Sequence, residues 1–168
     1  MKKFQGRVIF AEDFTGEAVV SRSGFNTLAS FQKSALLKTS KKIIVSDQNN
    51  KDVYKKNVTG KILCLPETIG STTGGMVIQT VASRNLSPKA FLFSKHIDPL
   101  AASGIILANV WNNVPIIAID ELGDDFLNEV NSGDEITIHA DGSVYVSKNL
   151  DDSKDSDEVD DLEEEDLD

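Results

Sequence analysis

The sequence contains very little cysteine and histidine: one cysteine and two histidines in 168 residues. An internal disulfide needs two cysteines, and zinc sites and iron–sulfur clusters need several Cys or His ligands. The composition therefore excludes a disulfide framework, and it excludes a cluster or zinc site built from this chain alone. Cys64 lies within the apolar run 62–65, where a small core residue is expected.

The sequence also lacks a long apolar segment and a basic patch of the kind that binds nucleic acid. No run approaches the ~20 apolar residues that cross a bilayer, and residues 1–7 lack the apolar stretch of a signal peptide. The net charge is −10, but twelve of the 27 acids and one of the 17 bases lie in residues 149–168. We therefore expect a cytoplasmic protein that binds neither membrane nor nucleic acid.

The acidic segment also suggests how the chain is divided. Residues 149–168 are low in complexity and hold few apolar residues, a composition that does not offset the entropy of ordering. We predict one folded domain over residues 1–148 and a disordered acidic tail over 149–168. The domain is long enough to bury a core of its own.

The chain is organised around residues 60–75. Residues 62–65 read as a strand buried on both faces, Pro66 ends it, and residues 68–75 hold glycine, serine and threonine without a charge near a predicted helix at 76–84. A glycine-containing turn at a helix N-terminus suits an anion. The turn could hold a phosphate, hold a carboxylate, or only cap the helix. It lacks the lysine of a P-loop and the glycine spacing of a dinucleotide fingerprint.

The rest of the chain predicts a mixed α/β fold. Residues 27–37 fit either a short helix or an irregular loop, and residues 105–110 fit a helix end or a strand. Asp98 and Pro99 mark a helix start. Further strands are predicted at 7–11, 16–21, 41–46, 89–94, 114–119, 135–139 and 144–146, and a further helix at 124–130. The middle of the chain therefore predicts a parallel sheet with crossover helices, flanked by antiparallel strands.

Several segments resemble the aconitase X swivel domain. The loop Gly70-Ser71-Thr72-Thr73-Gly74-Gly75 is similar to the Gly-Ser-Ser-Thr-Gly-Ser loop of that family, and it follows the Gly-Lys-Ile-Leu strand at 60–63. Further similar segments lie at 16–21, 87–90, 102–108 and 114–116, so that the resemblance covers residues 6–145. The resemblance implies a swivelling β/β/α domain.

The resemblance also implies an activity. The family's enzymes are hydro-lyases that dehydrate a hydroxy acid, here of the phosphomevalonate or hydroxyproline class. This chain would be the small subunit of a heteromer, binding no cofactor itself and closing over a large subunit that holds an iron–sulfur cluster or iron. Ser71 would be the catalytic base. Substrate would be bound by Gly70, Thr72, Thr73, Gly74 and Gly75.

The sequence departs from the family at three points. Thr72 replaces a serine and keeps a hydroxyl, whereas Gly75 replaces a serine and loses one. Residues 23–28 are a poor match to the family segment of the type Ser-Phe-Trp-Gly-Gly. The resemblance therefore does not determine which hydroxy acid is the substrate. A non-catalytic binding or regulatory module that kept the swivel fold is the alternative function, and a stand-alone phosphate- or carboxylate-binding protein is a third.

Four other residues invite a functional interpretation. His96 follows a predicted strand and fits either a surface loop or a substrate or partner contact, whereas His139 in the terminal hairpin fits a structural role. Trp111 could anchor an interface or pack half-buried on its own core. Arg84 ends a predicted helix, where a cation suits the helix dipole, and a contact with substrate is the alternative.

Overall fold

The computed structural model describes residues 1–149. The predicted disordered tail, apart from Asn149, lies outside the described residues. The described part contains ten strands and four helices. The strands are β1 (Lys2–Gln5), β2 (Arg7–Phe10), β3 (Phe14–Val20), β4 (Phe25–Asn26), β5 (Ile62–Leu65), β6 (Thr68–Ile69), β7 (Ala90–Phe93), β8 (Ile117–Asp120), β9 (Glu135–Ile138) and β10 (Ser143–Ser147). The helices are α1 (Thr27–Leu36), α2 (Gly74–Ser83), α3 (Pro99–Val110) and α4 (Asp124–Glu129).

Eight strands form one mixed sheet in the order β1-β10-β9-β3-β5-β7-β8-β2. Its centre is parallel, since β3 pairs with β5, β5 with β7 and β7 with β8 in the same direction. The helices α1, α2 and α3 make the three crossovers between these strands. The outer pairings are antiparallel. This arrangement confirms the predicted α/β fold with a parallel centre and crossover helices.

Alternate residues of the central strands face two separate cores, as strand geometry requires. Leu63 and Leu65 pack with the helical layer of α1, α2 and α3. Ile62 and Cys64 pack on the other face with α4 and the β9–β10 hairpin. Because both faces are covered, all four residues of β5 are fully buried, which explains its unbroken apolar sequence.

The structure corrects the prediction in several places. Residues 41–46 do not form the predicted strand. This segment pairs with another through an isolated bridge between Ile44 and Asn57. Its apolar residues Ile43 and Val45 are nevertheless buried. Residues 27–37 form a helix rather than an irregular loop, and residues 105–110 complete α3. Strand β8 begins at Ile117 rather than at residue 114, because Pro115 has no N–H to donate to a ladder.

Strand β1 has no counterpart among the predicted elements. Its sequence, Lys-Lys-Phe-Gln, is mostly polar and mostly exposed, and it forms by pairing with β10 at the edge of the sheet. Among the helices of residues 1–149, none combines the length and hydrophobicity required to cross a bilayer.

Candidate functional site

The starts of α1 and α2 are held side by side by a two-stranded sheet. In it, Phe25 pairs with Thr68 and Asn26 with Ile69, in parallel. Asn26 caps α1, because its side-chain oxygen accepts the Ala29 N–H at 3.0 Å. Gly70 lies directly against that side chain: a Cβ on Gly70 would come within 2.7 Å of the Asn26 amide, and the φ of Gly70 is +97°. Both the contact and the backbone require glycine at this position.

Asp98 connects the same small sheet to α3. Its carboxylate caps α3 by accepting the Ala101 N–H at 3.0 Å, which confirms the cap predicted from the Asp98-Pro99 pair. The same carboxylate accepts the Thr68 N–H at 3.0 Å and the Thr68 hydroxyl at 2.7 Å. One side chain therefore ties the strand that leads into the glycine loop to the neighbouring helix.

Ser71 lies between this anchored strand and the first turn of α2. Its Oγ accepts the backbone N–H of Thr73 at 3.2 Å and shares a 2.9 Å hydrogen bond with the Thr73 hydroxyl. Ser71 is half-buried, whereas Thr72 and Thr73 are exposed. The Thr73 N–H thus donates to the serine oxygen, and the Thr73 hydroxyl could donate to it as well, which is an arrangement that would stabilise negative charge on that oxygen.

The N-terminus of α2 adds further donors to this loop. Thr73 is the N-cap residue, but its side chain makes no capping hydrogen bond, because it is directed at Ser71. Helix geometry leaves the N–H groups of Gly75 and Met76 without an acceptor in the preceding turn. These N–H groups and the helix dipole favour an anion at the loop.

Gly74 and Gly75 are both buried and play different packing roles. A Cβ on Gly74 would meet Thr27 at an ordinary 3.6 Å, whereas a Cβ on Gly75 would lie 2.6 Å from the Leu100 carbonyl and from the Ser103 hydroxyl. Gly75 therefore allows α3 to approach the first turn of α2. Of the residues predicted to bind substrate, the three glycines, Gly70, Gly74 and Gly75, can offer a ligand only their backbone.

Thr27 is a residue at this site that the sequence interpretation missed. It is 1% exposed, and its hydroxyl has no hydrogen-bond partner among residues 1–149. Its Oγ1 lies 3.8 Å from the position of a Cβ on Gly74, beside the start of α2. Buried hydroxyls normally have a hydrogen-bond partner. The Thr27 hydroxyl is therefore an unused hydrogen-bond donor next to the loop. Thr27 and Gly74 are distant in sequence, and only the pairing of β4 with β6 brings them together.

A polar cleft of about 370 Å³ lies at the carboxyl ends of β5 and β7. Its lining includes Arg22, Gly24, Glu67, Ser94 and Lys95. Ser94 is buried and its hydroxyl has no partner in the described residues, while Lys95 forms a 3.2 Å ion pair with Glu67. The cleft adjoins the glycine loop through Gly24, because a Cβ on Gly24 would meet Ile69.

His96, Asp120 and Glu121 form a group with the spacing of a metal site. Arg7 already supplies the cation there, since its Nε and Nη2 bind the two oxygens of Asp120 at 2.9 Å and 2.7 Å. The Ile97 N–H also donates to Asp120. Burial acts to raise the pKa of Asp120, but the bonds from Arg7 and Ile97 outweigh it and hold the pKa below its usual range. The group is therefore explained as an ion-pair cluster.

Cys64 does not fit the role of a cluster ligand. It is fully buried in β5, and burial raises the pKa of its thiol, which opposes the thiolate that iron requires. The position confirms the prediction of a small core residue.

The remaining predicted residues fall in different places. Trp111 is 76% exposed, so the half-buried alternative is wrong. Arg84 is the C-cap residue of α2, and its guanidinium caps the end of α1 by donating to the carbonyls of Ala35 and Leu37. His96 is exposed beside Glu121, and His139 packs edge-on against Tyr145.

Comparison with known proteins assigns the fold and the loop to one family. The family model described as the aconitase X swivel domain matches residues 3–146. The chain belongs to the aconitase X swivel domain family. The match includes all of the sheet except its two terminal residues, Lys2 and Ser147, together with the three crossover helices and the loop that carries Ser71.

Curated relatives and a solved structure agree with this assignment. The phosphomevalonate dehydratase small subunit of Methanocaldococcus jannaschii is 29% identical over 148 residues, covering 88% of this chain and 98% of that protein. The corresponding small subunit of Pyrococcus furiosus is 32% identical over 108 residues, covering 64% and 74%. The crystal structure of Thermococcus kodakaraensis aconitase X in its holo-form has a TM-score of 0.72 at 26% identity, covering 88% of this chain and 100% of that one.

Proposed function

We propose that this chain is the small subunit of a two-subunit hydro-lyase that dehydrates mevalonate 5-phosphate, with Ser71 as the base. The observation that carries the proposal is the hydrogen-bonded pair of Ser71 and Thr73 at the start of α2, in a chain whose relatives are phosphomevalonate dehydratase small subunits. The proposal includes the large catalytic partner that the name of those relatives implies.

The chemistry requires a base that removes a proton from the carbon next to the one that loses its hydroxyl. A serine hydroxyl is a poor base unless its neighbours stabilise the alkoxide. The Thr73 N–H and hydroxyl, with the dipole of α2 behind them, supply that stabilisation at Ser71 Oγ. Iron held by the large subunit would bind the departing hydroxyl as a Lewis acid.

The half-buried position of Ser71 suits a site that is completed by a second chain. Exclusion of water strengthens the hydrogen bonds to a developing alkoxide. The described residues contain no carboxylate–histidine pair in contact with Ser71 that could activate it instead. We infer that the large subunit covers the loop and that the swivel domain closes over the iron site.

The exposed face of α3 supports the need for a partner. Ile106, Leu107, Val110 and Trp111 are large apolar residues that lie on one side of this helix and are 40% or more exposed. A surface helix normally turns its apolar side to the core, and α3 is apolar on both sides. Since α3 packs on the first turn of α2, a large subunit seated on this face would lie against a neighbour of the helix that presents Ser71.

The experiment is co-expression of the chain with the aconitase X large subunit of the same source, followed by an assay of mevalonate 5-phosphate dehydration. The expected result is a stable iron-containing complex that is active, while either chain alone is inactive. A hydroxyproline substrate serves as the comparison for specificity. A complex that forms and dehydrates neither substrate would favour a non-catalytic module instead.

A further inference from the structure

Seven of the sixteen Lys and Arg residues of the described chain lie in one segment, residues 33–56, which we call the lysine lobe. It contains seven exposed lysines and only two acidic residues. Asp47 is buried, and Asp52 accepts the backbone N–H of Arg22. The lysines are Lys33, Lys38, Lys41, Lys42, Lys51, Lys55 and Lys56.

These lysines lack the ion pairs that other lysines of the protein make. Lys2, Lys61, Lys89, Lys95 and Lys148 each lie within 4.0 Å of a carboxylate. Within residues 1–149, none of the seven lobe lysines does. Like charges held together on a folded surface repel one another and disfavour the compact state. The lobe therefore presents an uncompensated charge.

Backbone hydrogen bonds bring the two halves of the lobe together. The Val45 N–H donates to the Lys56 carbonyl and the Lys55 N–H donates to the Val45 carbonyl, both at 2.9 Å. The end of α1 adds an apolar patch among the lysines, since Leu36 and Leu37 are 72% and 53% exposed. The lobe thus offers both cations and two exposed leucines to an occupant.

Residues 150–168 have the complementary composition. They carry twelve acidic residues and one lysine, with Val159, Leu162 and Leu167 spaced among the acids. The acids match the lysines of the lobe, and the aliphatic residues match Leu36 and Leu37.

Asn149, the last described residue, is connected to the lobe by a chain of hydrogen bonds. The Asn149 N–H donates to Asp134, which accepts the Asn131 N–H. Arg22 donates from its side chain to Asn131 and from its backbone to Asp52, the neighbour of Lys51. Asn149 is therefore a few hydrogen-bonded residues from the lobe. The 19 residues that follow it span up to ~60 Å when extended.

We propose that residues 150–168 bind the lysine lobe of their own chain as an intramolecular counter-charge. The covalent link gives such a segment an effective concentration of the order of millimolar, so weak individual ion pairs suffice. Because the pairs are exposed, salt weakens the contact. The bound segment would keep other polyanions away from the lobe.

The test places a nitroxide label in the acidic segment of the full chain. Cys64 is buried, so a cysteine introduced by Asp160→Cys is the residue that reacts with the label. The expected result is selective broadening of amide NMR signals in the lobe, independent of protein concentration. The broadening should disappear in about 1 M salt, where the Debye length is ~3 Å. Absence of selective broadening at low salt would overturn the proposal.

A pair of matched double variants checks that the lysines carry the contact. Lys41→Glu with Lys42→Glu should abolish the broadening, whereas Lys2→Glu with Lys3→Glu, an adjacent exposed pair on β1, should leave it in place. Equal loss in both variants would mean only a general charge effect and would contradict the proposal.

Broadening that fades on dilution would point to the segment of a second copy. Equal binding of the full chain and a chain ending at residue 149 to anionic phosphatidylserine vesicles would show that the lobe is open, and would also overturn it.

Discussion

Gly104 of α3 lies in backbone contact with Gly75 of α2. A Cβ on Gly104 would be 2.9 Å from the Gly75 Cα and would also clash with the Gly75 carbonyl oxygen. The contact falls in the first turn of α2, two residues after Thr73. It therefore fixes the helix that presents the loop, as well as joining two helices.

Gly104→Ala should push α3 away from the first turn of α2. We expect a loss of about 1–3 kcal/mol in the free energy of unfolding, the usual cost of an extra methyl group in a tight contact. The matched control is Gly74→Ala in α2, whose Cβ would meet Thr27 at an ordinary 3.6 Å. Chemical denaturation measures both. Equal stability of the two variants would contradict the tight contact.

Thr73→Val should lower the kcat of the reconstituted enzyme about tenfold to a hundredfold, because it removes one hydrogen bond to a charged oxygen. If Ser71 is the base, the Thr73 hydroxyl would stabilise its alkoxide, so its removal should move the rising limb of the kcat–pH profile, on which the base loses its proton, to higher pH. Thr73→Ser, which keeps a hydroxyl at this position, should restore activity. A wild-type profile for Thr73→Val would argue against the pair.

Trp111→Ala should weaken binding of the large subunit by about 2 kcal/mol, roughly 30-fold in Kd, if the apolar face of α3 is the interface. The stability of the isolated chain should hardly change, because the side chain is 76% exposed. Leu36→Ala, at an exposed leucine on α1, is the control and should bind normally. Titration calorimetry gives both affinities. Normal binding by Trp111→Ala would exclude this face.

Arg7→Met should destabilise the protein at neutral pH and make its stability less sensitive to acid. The pKa of Asp120 is lowered in the folded state, so its contribution to stability is present above the unfolded pKa of ~3.9 and is lost as the pH falls through the folded value. Without Arg7 that contribution is missing at neutral pH. Melting temperatures at neutral pH and at about pH 3 should therefore differ less in the variant than in the wild type.

Lys61→Met is the control for this pH experiment. It breaks the 3.0 Å pair with Glu17, in which both side chains are partly exposed, and such pairs contribute little. Its melting curve should follow the wild type at both pH values. If the melting temperatures of Arg7→Met at the two pH values differed as much as those of the wild type, the role assigned to the Arg7–Asp120 pair would be contradicted.

The order β5–loop–α2 was predictable because each part has a local cause. A strand buried on both faces must be apolar throughout, proline ends it, and glycine and threonine are suited to the turn before a helix. The cap at Asp98 is equally local. The hydroxyls of Ser71 and Thr73 are two residues apart, so their contact also lies within the predicted loop.

The other features of the fold and the site depend on contacts between residues far apart in the sequence, which a local sequence pattern does not predict. Asn26 and Thr27 reach Gly70 and Gly74 only through the pairing of β4 with β6, two strands of two residues each. Residues 41–46 have the alternation of a strand, yet they bury Ile43 and Val45 with a single bridge. Strand β1 is mostly polar and forms only because β10 lies beside it.

The most direct test of the account is the dehydration rate of the reconstituted enzyme with Ser71→Ala in place of the wild-type chain. The serine hydroxyl is replaced without changing the bond from the Gly74 N–H to the Ser71 carbonyl, so the complex should assemble with normal affinity and iron content. We predict that kcat falls by at least ~10²–10⁴-fold, the usual contribution of a general base. A complex that assembles normally and retains wild-type kcat would show that another residue removes the proton.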